Sequence, residues 1–447
     1  MLPALESLRA QLADGRLHAA TLLASCVERI GDGTGEGERV FPHGPSPAAA
    51  AQAAASDALR RYGVAGPLSG IPVSVKDLFD VQGEVTRAGS RILPERAATR
   101  DAVAIGRLRA AGAVFVGRTN MTEFAYSGLG INPHFGTPAN PFNRSAARIP
   151  GGSSSGAAVS VTDGMAAAAI GSDTGGSCRI PAALCGLAGF KPTAARIPVE
   201  GAVPLSPSYD SIGSIAPSVA SCAVLDSIMA GDTEPGAFVP HSLRGVRLAI
   251  PTSIVLDDMD VRVAAAFERA IARLTAAGAI VREVSFDSWQ HLSTLGQHGG
   301  LVAAEAWAWH VGLIKRHAGE YDPRVISRIR LGSEHSTADY LRNRALRAQL
   351  CRQADDEMRP FDAIVCPTVP IVAPRMADLE EEPAYTATNR LLLRNPSIAN
   401  MLDLCAVSIP CHEPDQAPVG LMLMGRCMSD RQLLAISMGA EPVVRPQ

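Results

Sequence analysis

Residues 150–181, PGGSSSGAAVSVTDGMAAAAIGSDTGGSCRIP, set two glycine pairs directly ahead of serines: Gly151-Gly152 before Ser153 and Gly175-Gly176 before Ser177. Glycine lets a chain turn where a side chain would clash, and it leaves N–H groups uncovered. Successive bare N–H groups in such a turn make a concave site for negative charge. A hydroxyl beside that site meets the two needs of acyl transfer, a nucleophile and donors for the oxygen that becomes negative. The stretch therefore nominates Ser177 as nucleophile, with Thr174, Gly175 and Gly176 offering backbone donors. A structural glycine turn accounts for one such pair. Two in tandem, together with a candidate base, favour chemistry.

A serine hydroxyl needs a base within hydrogen-bond reach. None of the ten histidines sits beside an acid in a recognisable setting. The one G-x-S-x-G match, Gly152 to Gly156, follows the polar segment NRSAARIP, whereas a nucleophile elbow requires a strand there. Lysine is the other candidate. Of 41 basic residues only Lys76, Lys191 and Lys315 are lysines, and a buried lysine can shed its proton where arginine cannot. In Ile71-Pro72-Val73-Ser74-Val75-Lys76-Asp77 the apolar residues alternate with Ser74 and Lys76, the period-two mark of a strand. Burial there would lower the amine toward neutrality; the plainer reading pairs Lys76 with Asp77. Lys191 also ends a strand, but Pro192 after it points to the surface, and Lys315 falls in a polar helical patch.

The elements around these residues alternate between helix and strand. Residues 4–30 and Pro47–Arg61 read as helices, and 101–117 as helix, glycine stop and buried strand. Further strands are expected at Leu187–Lys191, GVRLAIP, AIVREV, FDAIVCPTVP and GLMLMG, with a helix over Val261–Ala277. Residues 288–358 read as mostly helical, and Asp378–Glu382 as a solvated loop. This is an α/β pattern. No linker divides the 447 residues, so a helical segment over 1–60 packed on a single large domain over 61–445 is expected.

The phrases G-I-P-V-S-V-K-D, P-G-G-S-S-S-G and D-T-G-G-S-C-R-I-P, with 24 positions between Ser153 and Ser177, resemble the amidase signature family. The flanking R-T-N-M-T-E-F, N-P-F-N, C-G-L-A-G-F-K-P-T and P-V-G-L-M-L-M-G extend the likeness from about residue 60 to 440. The resemblance implies a central mixed, twisted sheet covered by helices on both faces, and a Ser–cis-Ser–Lys triad. Carried onto this chain, Ser177 forms the acyl-enzyme, Ser153 bridges with a cis peptide before it, and Lys76 is the general base. Backbone N–H groups of Thr174, Gly175, Gly176 and Ser177 would hold the oxyanion, and Ala125 and Ser153 would border the substrate. Asp173 and Arg179 would brace the turn as a buried pair. Ser155 departs from the family pattern, which has glycine there; a helix cap is its simplest use. Cys178 is expected to be packing.

The resemblance implies an amidohydrolase of small or medium amides, without metal or organic cofactor, and two-fold homodimers are common in the family. An amidotransferase A-type subunit, working on an aminoacyl-tRNA carrier with partner chains, shares the same motifs. A net charge of −3 gives no footprint for direct nucleic-acid binding. Nine scattered cysteines, none spaced C-x-x-C, fit a reducing, cytoplasmic setting. No apolar run reaches the roughly 20 residues of a membrane helix.

Overall fold

The structure, a computed structural model, describes residues 1–234 and 238–445. Among them ten strands form one sheet: β1 (Pro72–Lys76), β2 (Val114–Thr119), β3 (Ala168–Ser172), β4 (Ala188–Lys191), β5 (Ile212–Ala216), β6 (Arg247–Pro251), β7 (Ile280–Val284), β8 (Ala363–Pro367), β9 (Cys405–Pro410) and β10 (Gly420–Gly425). Their order is β2-β1-β3-β5-β4-β9-β10-β8-β6-β7. The sheet is mixed as expected. Each end is parallel, β2-β1-β3 and β8-β6-β7, while the strands between run antiparallel.

Every strand except β7 and the first residue of β6 is buried along its length, so both faces are covered. For β1 this changes what its alternation means. Its polar face does not meet water: Ser74 Oγ lies 2.8 Å from Ser160 Oγ on the helix Ser155–Thr162. That face is a polar seam inside the protein, and Lys76 ends it.

The helices Ala19–Ile30 and Ala49–Arg61 close the β2 edge. Gln52 Oε1 accepts the Phe115 N–H at 2.8 Å, a donor that an edge strand would otherwise leave unpaired. Asp57 accepts the N–H groups of Ala19 and Ala20, tying the two helices together. The expected helical run appears as Gly300–His317, Pro323–Leu331 and Thr337–Met358, separated by short 3-10 turns. The acidic stretch differs from the expected loop. Leu379 is buried at the end of a 3-10 turn over Met376–Leu379, and Glu382 opens the helix Glu382–Met401. The apolar side of that segment, invisible in a run of acids, holds it to the protein.

Candidate active site

Two strand ends and two loops bring the site together. The β1–β3 register, Val73 to Ala168 through Val75 to Ile170, sets Lys76 beside the end of β3, where Ser172 stands. Lys76 is fully buried, and its Nζ donates to Ser153 Oγ at 2.7 Å and to Ser172 Oγ at 2.9 Å. Burial strips the ammonium of hydration and brings Lys76 down to about 8, against an opposing pull from Cys178, Asp173 and Asp210. The neighbouring Asp77 is no counter-ion to it. Asp77 Oδ1 faces Arg118 at 3.6 Å, and burial raises this carboxyl to about 6.

Ser153 follows a cis peptide bond from Gly152. The loop is clasped by residues 120–130: Thr122 N–H donates to Ser153 O at 3.1 Å, and Gly152 N–H to Gly128 O at 2.8 Å. Glycine is required at 152 because a Cβ there would lie 2.5 Å from the Gly130 nitrogen. Ser155 does not cap the following helix, as its position suggested. It is the helix's first residue, Ser154 holds the cap position, and the Ser155 hydroxyl turns back to Asn120 O at a long 3.5 Å. No strand precedes this turn, so the G-x-S-x-G spacing is not an elbow.

Ser177 lies at the end of the loop after β3, ahead of the helix Arg179–Cys185. Its hydroxyl makes no hydrogen bond to another described residue, Ser153 included, and it opens on a cavity of about 550 Å³. Asp173 organises the loop. Its two oxygens take the N–H groups of Gly176 (2.8 Å) and Cys178 (3.1 Å), and Arg179 pairs with it at 2.8 Å, both side chains wholly buried. Burial alone would raise this carboxyl, but the Arg179 and Lys191 charges and the Asn400 amide hold it well below the usual carboxylate range. Gly176, with φ +125, turns the chain where a Cβ would lie 2.7 Å from Pro396 Cβ.

That bond corrects the expected donor set. The Gly176 N–H is committed to Asp173 Oδ1, leaving Thr174, Gly175 and Ser177 with N–H groups that have no partner among the described residues. Thr174 is anchored through its hydroxyl to Asp210 Oδ1 at 2.5 Å, and burial raises Asp210 to about 6. Ala125 lines the cavity; it and Phe124 adopt left-handed backbone (φ +61 and +48). Such conformations in non-glycine residues cluster at functional sites.

Ser172 was not singled out in the sequence. The only sign was its place at the end of the apolar run that leads to Asp173, which names a strand end but no partner. Lys191 corrects another expectation. It is buried, and its Nζ donates to Pro192 O (2.7 Å) and Leu404 O (2.9 Å); burial lowers its pKa. Lys315 is exposed as expected, and none of the ten histidines lines the cavity. Cys178 is buried, and its thiol is pushed far above the ordinary range by that burial. Among the described residues no group of three or more His, Cys, Asp or Glu is placed to hold a metal ion, and no helix is long and apolar enough to cross a membrane.

Comparison with known proteins gives consistent likenesses. The family model described as Amidase matches residues 44–434. A 2-amino-5-chloromuconic acid deaminase of Comamonas testosteroni is 38% identical over 88% of this chain and 86% of its own. The A subunit of glutamyl-tRNA(Gln) amidotransferase from Symbiobacterium thermophilum is 34% identical, over 87% and 86%. Among solved structures, one described as an amidase superposes with a TM-score of 0.88 at 32% identity, covering 99% of this chain and 100% of that one. The native peptide amidase of Stenotrophomonas maltophilia does so with a TM-score of 0.80 at 27% identity, covering 99% and 97%.

Proposed function

The chain belongs to the amidase family and acts on amide bonds, and from that premise we propose that it hydrolyses a small or medium carboxylic amide through an acyl-enzyme on Ser177. The observation that carries this reading is the 2.7 Å contact between a fully buried Lys76 Nζ and Ser153 Oγ. A lysine drawn down to about 8 holds a usable fraction of neutral amine near neutral pH.

In the first half-reaction Ser177 Oγ attacks the amide carbon. Its proton passes to Ser153 Oγ while the Ser153 proton passes to the Lys76 lone pair, so a short Nζ–Oγ contact serves donation in either direction. The Ser153–Ser177 link must close when substrate binds, since catalytic hydrogen bonds in empty sites are often long. The carbonyl oxygen, now negative, takes the free N–H groups of Thr174, Gly175 and Ser177, each good donor contributing about 3–4 kcal/mol. The C–N bond breaks as the proton returns through Ser153 to the leaving nitrogen. Water then attacks the ester, losing its proton along the same path to Lys76; the Ser177 Oγ–C bond breaks as that proton returns through Ser153 to Ser177 Oγ, and the acid departs. The Asp173–Arg179 pair acts on no substrate atom; it fixes the loop that aims the donors.

Relatives that are amidotransferase A subunits support a second reading, in which partner chains present an aminoacyl-tRNA. Hydrolysis of simple amides by the purified chain alone favours the first reading; turnover only with added partners favours the second. Ser177→Ala is expected to abolish both turnover and the covalent adduct seen by intact mass. Lys76→Ala should cost about 10²–10⁴-fold. A fluorophosphonate that labels a different serine refutes the assignment. We further place the chain in the cytoplasm without direct nucleic-acid contact, supported by nine unpaired thiols and a net charge of −3. A homodimer is the expected state, to be read by light scattering.

A further inference from the structure

The wall of the cavity before Ser177 carries charge that amide cleavage does not require. We propose that the site selects amides bearing a carboxylate remote from the scissile bond, received by Arg390 with Arg394 and Arg328 beside it. The proposal rests on the reading of Ser177 as nucleophile.

One helix builds most of this wall. Glu382–Met401 turns Thr386, Arg390, Leu393, Arg394, Ser397 and Met401 to the cavity, a set at helical spacing along one face. The inner end of that face is fixed against the serine loop. A Cβ on Gly175 would lie 3.5 Å from Leu393 Cδ2, and one on Gly176 would lie 2.7 Å from Pro396 Cβ. Arg390 comes six residues before Pro396, about 9 Å of helix rise outward from the serine loop. A substrate whose carbonyl meets Ser177 therefore extends its far end toward Arg390.

None of the three arginines on that wall has a carboxylate within salt-bridge distance among the described residues. Arg390 and Arg394 stand four residues apart on one helix, where like charges repel. Arg394 is hydrogen-bonded to Asn395 Oδ1 (3.0 Å) and Val255 O (3.4 Å), both neutral acceptors, and burial lowers its pKa against the opposing charges of Asp257 and Asp258. Arg328, on the helix Pro323–Leu331, donates to Tyr126 O at 2.7 Å and lies over the Tyr385 ring at 5.1 Å, with Asp322 at the start of its helix near enough for the two charges to interact. Glu382 is the sole acid among the lining residues, and it already faces Arg324 at 3.3 Å. Arg390 itself has no hydrogen bond or ion pair to another described residue, so its planar fork is available to a carboxylate. The same lining carries the apolar side chains of Leu205, Val302, Leu331, Leu393 and Met401. The complementary ligand has an amide at one end, an apolar body and an anion at the other.

The test compares glutaramate and adipamate with pentanamide and hexanamide, following ammonia release. The acids are expected to have kcat/KM about 10- to 100-fold above their neutral counterparts. In Arg390→Ala that ratio should fall toward one through KM, Arg390→Lys should restore part of it, and raised salt should shrink it. A ratio near one in the unaltered protein, or a ratio untouched by Arg390→Ala, overturns the proposal. Should none of the four amides turn over, titration calorimetry of glutaramate and adipamate against the Ser177→Ala protein decides instead, with binding no tighter than that of the neutral amides counting against the proposal. Fluorophosphonate labelling keeps the two readings apart. Labelling of Ser177 without an acid preference sinks only the carboxylate proposal; failure to label Ser177 sinks the nucleophile reading.

Discussion

If the neutral amine of Lys76 is the base, the rate of Ser177 acylation must follow its titration. Burial takes this lysine from 10.5 to about 8. At pH 7 the neutral fraction is then about 9%, against roughly 0.03% for an unperturbed lysine, a gain of about 300-fold. The protonated form cannot accept the serine proton, so activity falls as pH drops through 8 and reaches its plateau about one unit above. The same shift acts on stability with the sign set by proton binding. Because the folded pKa lies below the unfolded one, the unfolded chain binds more protons between about 8 and 10.5, and stability rises with pH across that window. Below 8 both states are protonated, and the burial costs about 3 kcal/mol throughout. The assay is the second-order rate of fluorophosphonate inactivation from pH 5.5 to 10, which needs no knowledge of the natural substrate. A flat profile from pH 6.5 to 9.5 refutes the argument. A limb centred near 6 refutes it differently, assigning the titration to a buried carboxyl, Asp210 behind Thr174 or Asp77 beside Lys76, each of which burial raises to about 6.

Two further outcomes follow from neighbouring groups. Ser172→Ala removes one of the two acceptors of the Lys76 ammonium, so the midpoint of the same profile should move to lower pH while Ser177 still labels; an unchanged midpoint means that Ser172 plays no part in tuning the amine. Arg179→Ala leaves Asp173 wholly buried without its partner, and urea unfolding should show a loss of about 3–5 kcal/mol; a loss below 1 kcal/mol contradicts the bracing role of the pair.

Much of this site could be read from spacing, and the parts that could not share a cause. Ser153, Ser177 and Lys76 each sit in a local phrase whose backbone needs, glycine ahead of serine or alternation in a strand, are written in adjacent residues. The α/β order is legible for the same reason, since helix and strand periods are local. What local reading misses is what lies across the sheet. Ser74 was expected to share a face with Lys76, but only the packing of Ser160 against it shows that the face is dry. Ser172 becomes a partner of Lys76 through the β1–β3 register, across 96 positions of chain. The commitment of the Gly176 N–H to Asp173 depends on how the loop folds over its own carboxylate. The arginines of the cavity acquire meaning only when their helix is known to abut Gly175 and Gly176.

The two buried lysines show why burial alone does not make a base. Both lose hydration, and both have lowered pKa values for that reason. Pro192 leaves the surface open as a place for Lys191 in the sequence, because the Leu404 carbonyl that receives it stands 213 residues away. Its recorded partners are two carbonyl oxygens, which accept hydrogen bonds and have no proton to give. They favour the ammonium and offer the amine no work, so the charge of Lys191 serves to hold down the Asp173 carboxyl. Lys76 meets two hydroxyls instead, groups that both accept and donate. An amine among hydroxyls can take a proton from one and return it, and one of these hydroxyls, Ser153, follows the cis peptide bond at Gly152. What sets the proposed base apart from Lys191 is its partners' capacity to carry a proton.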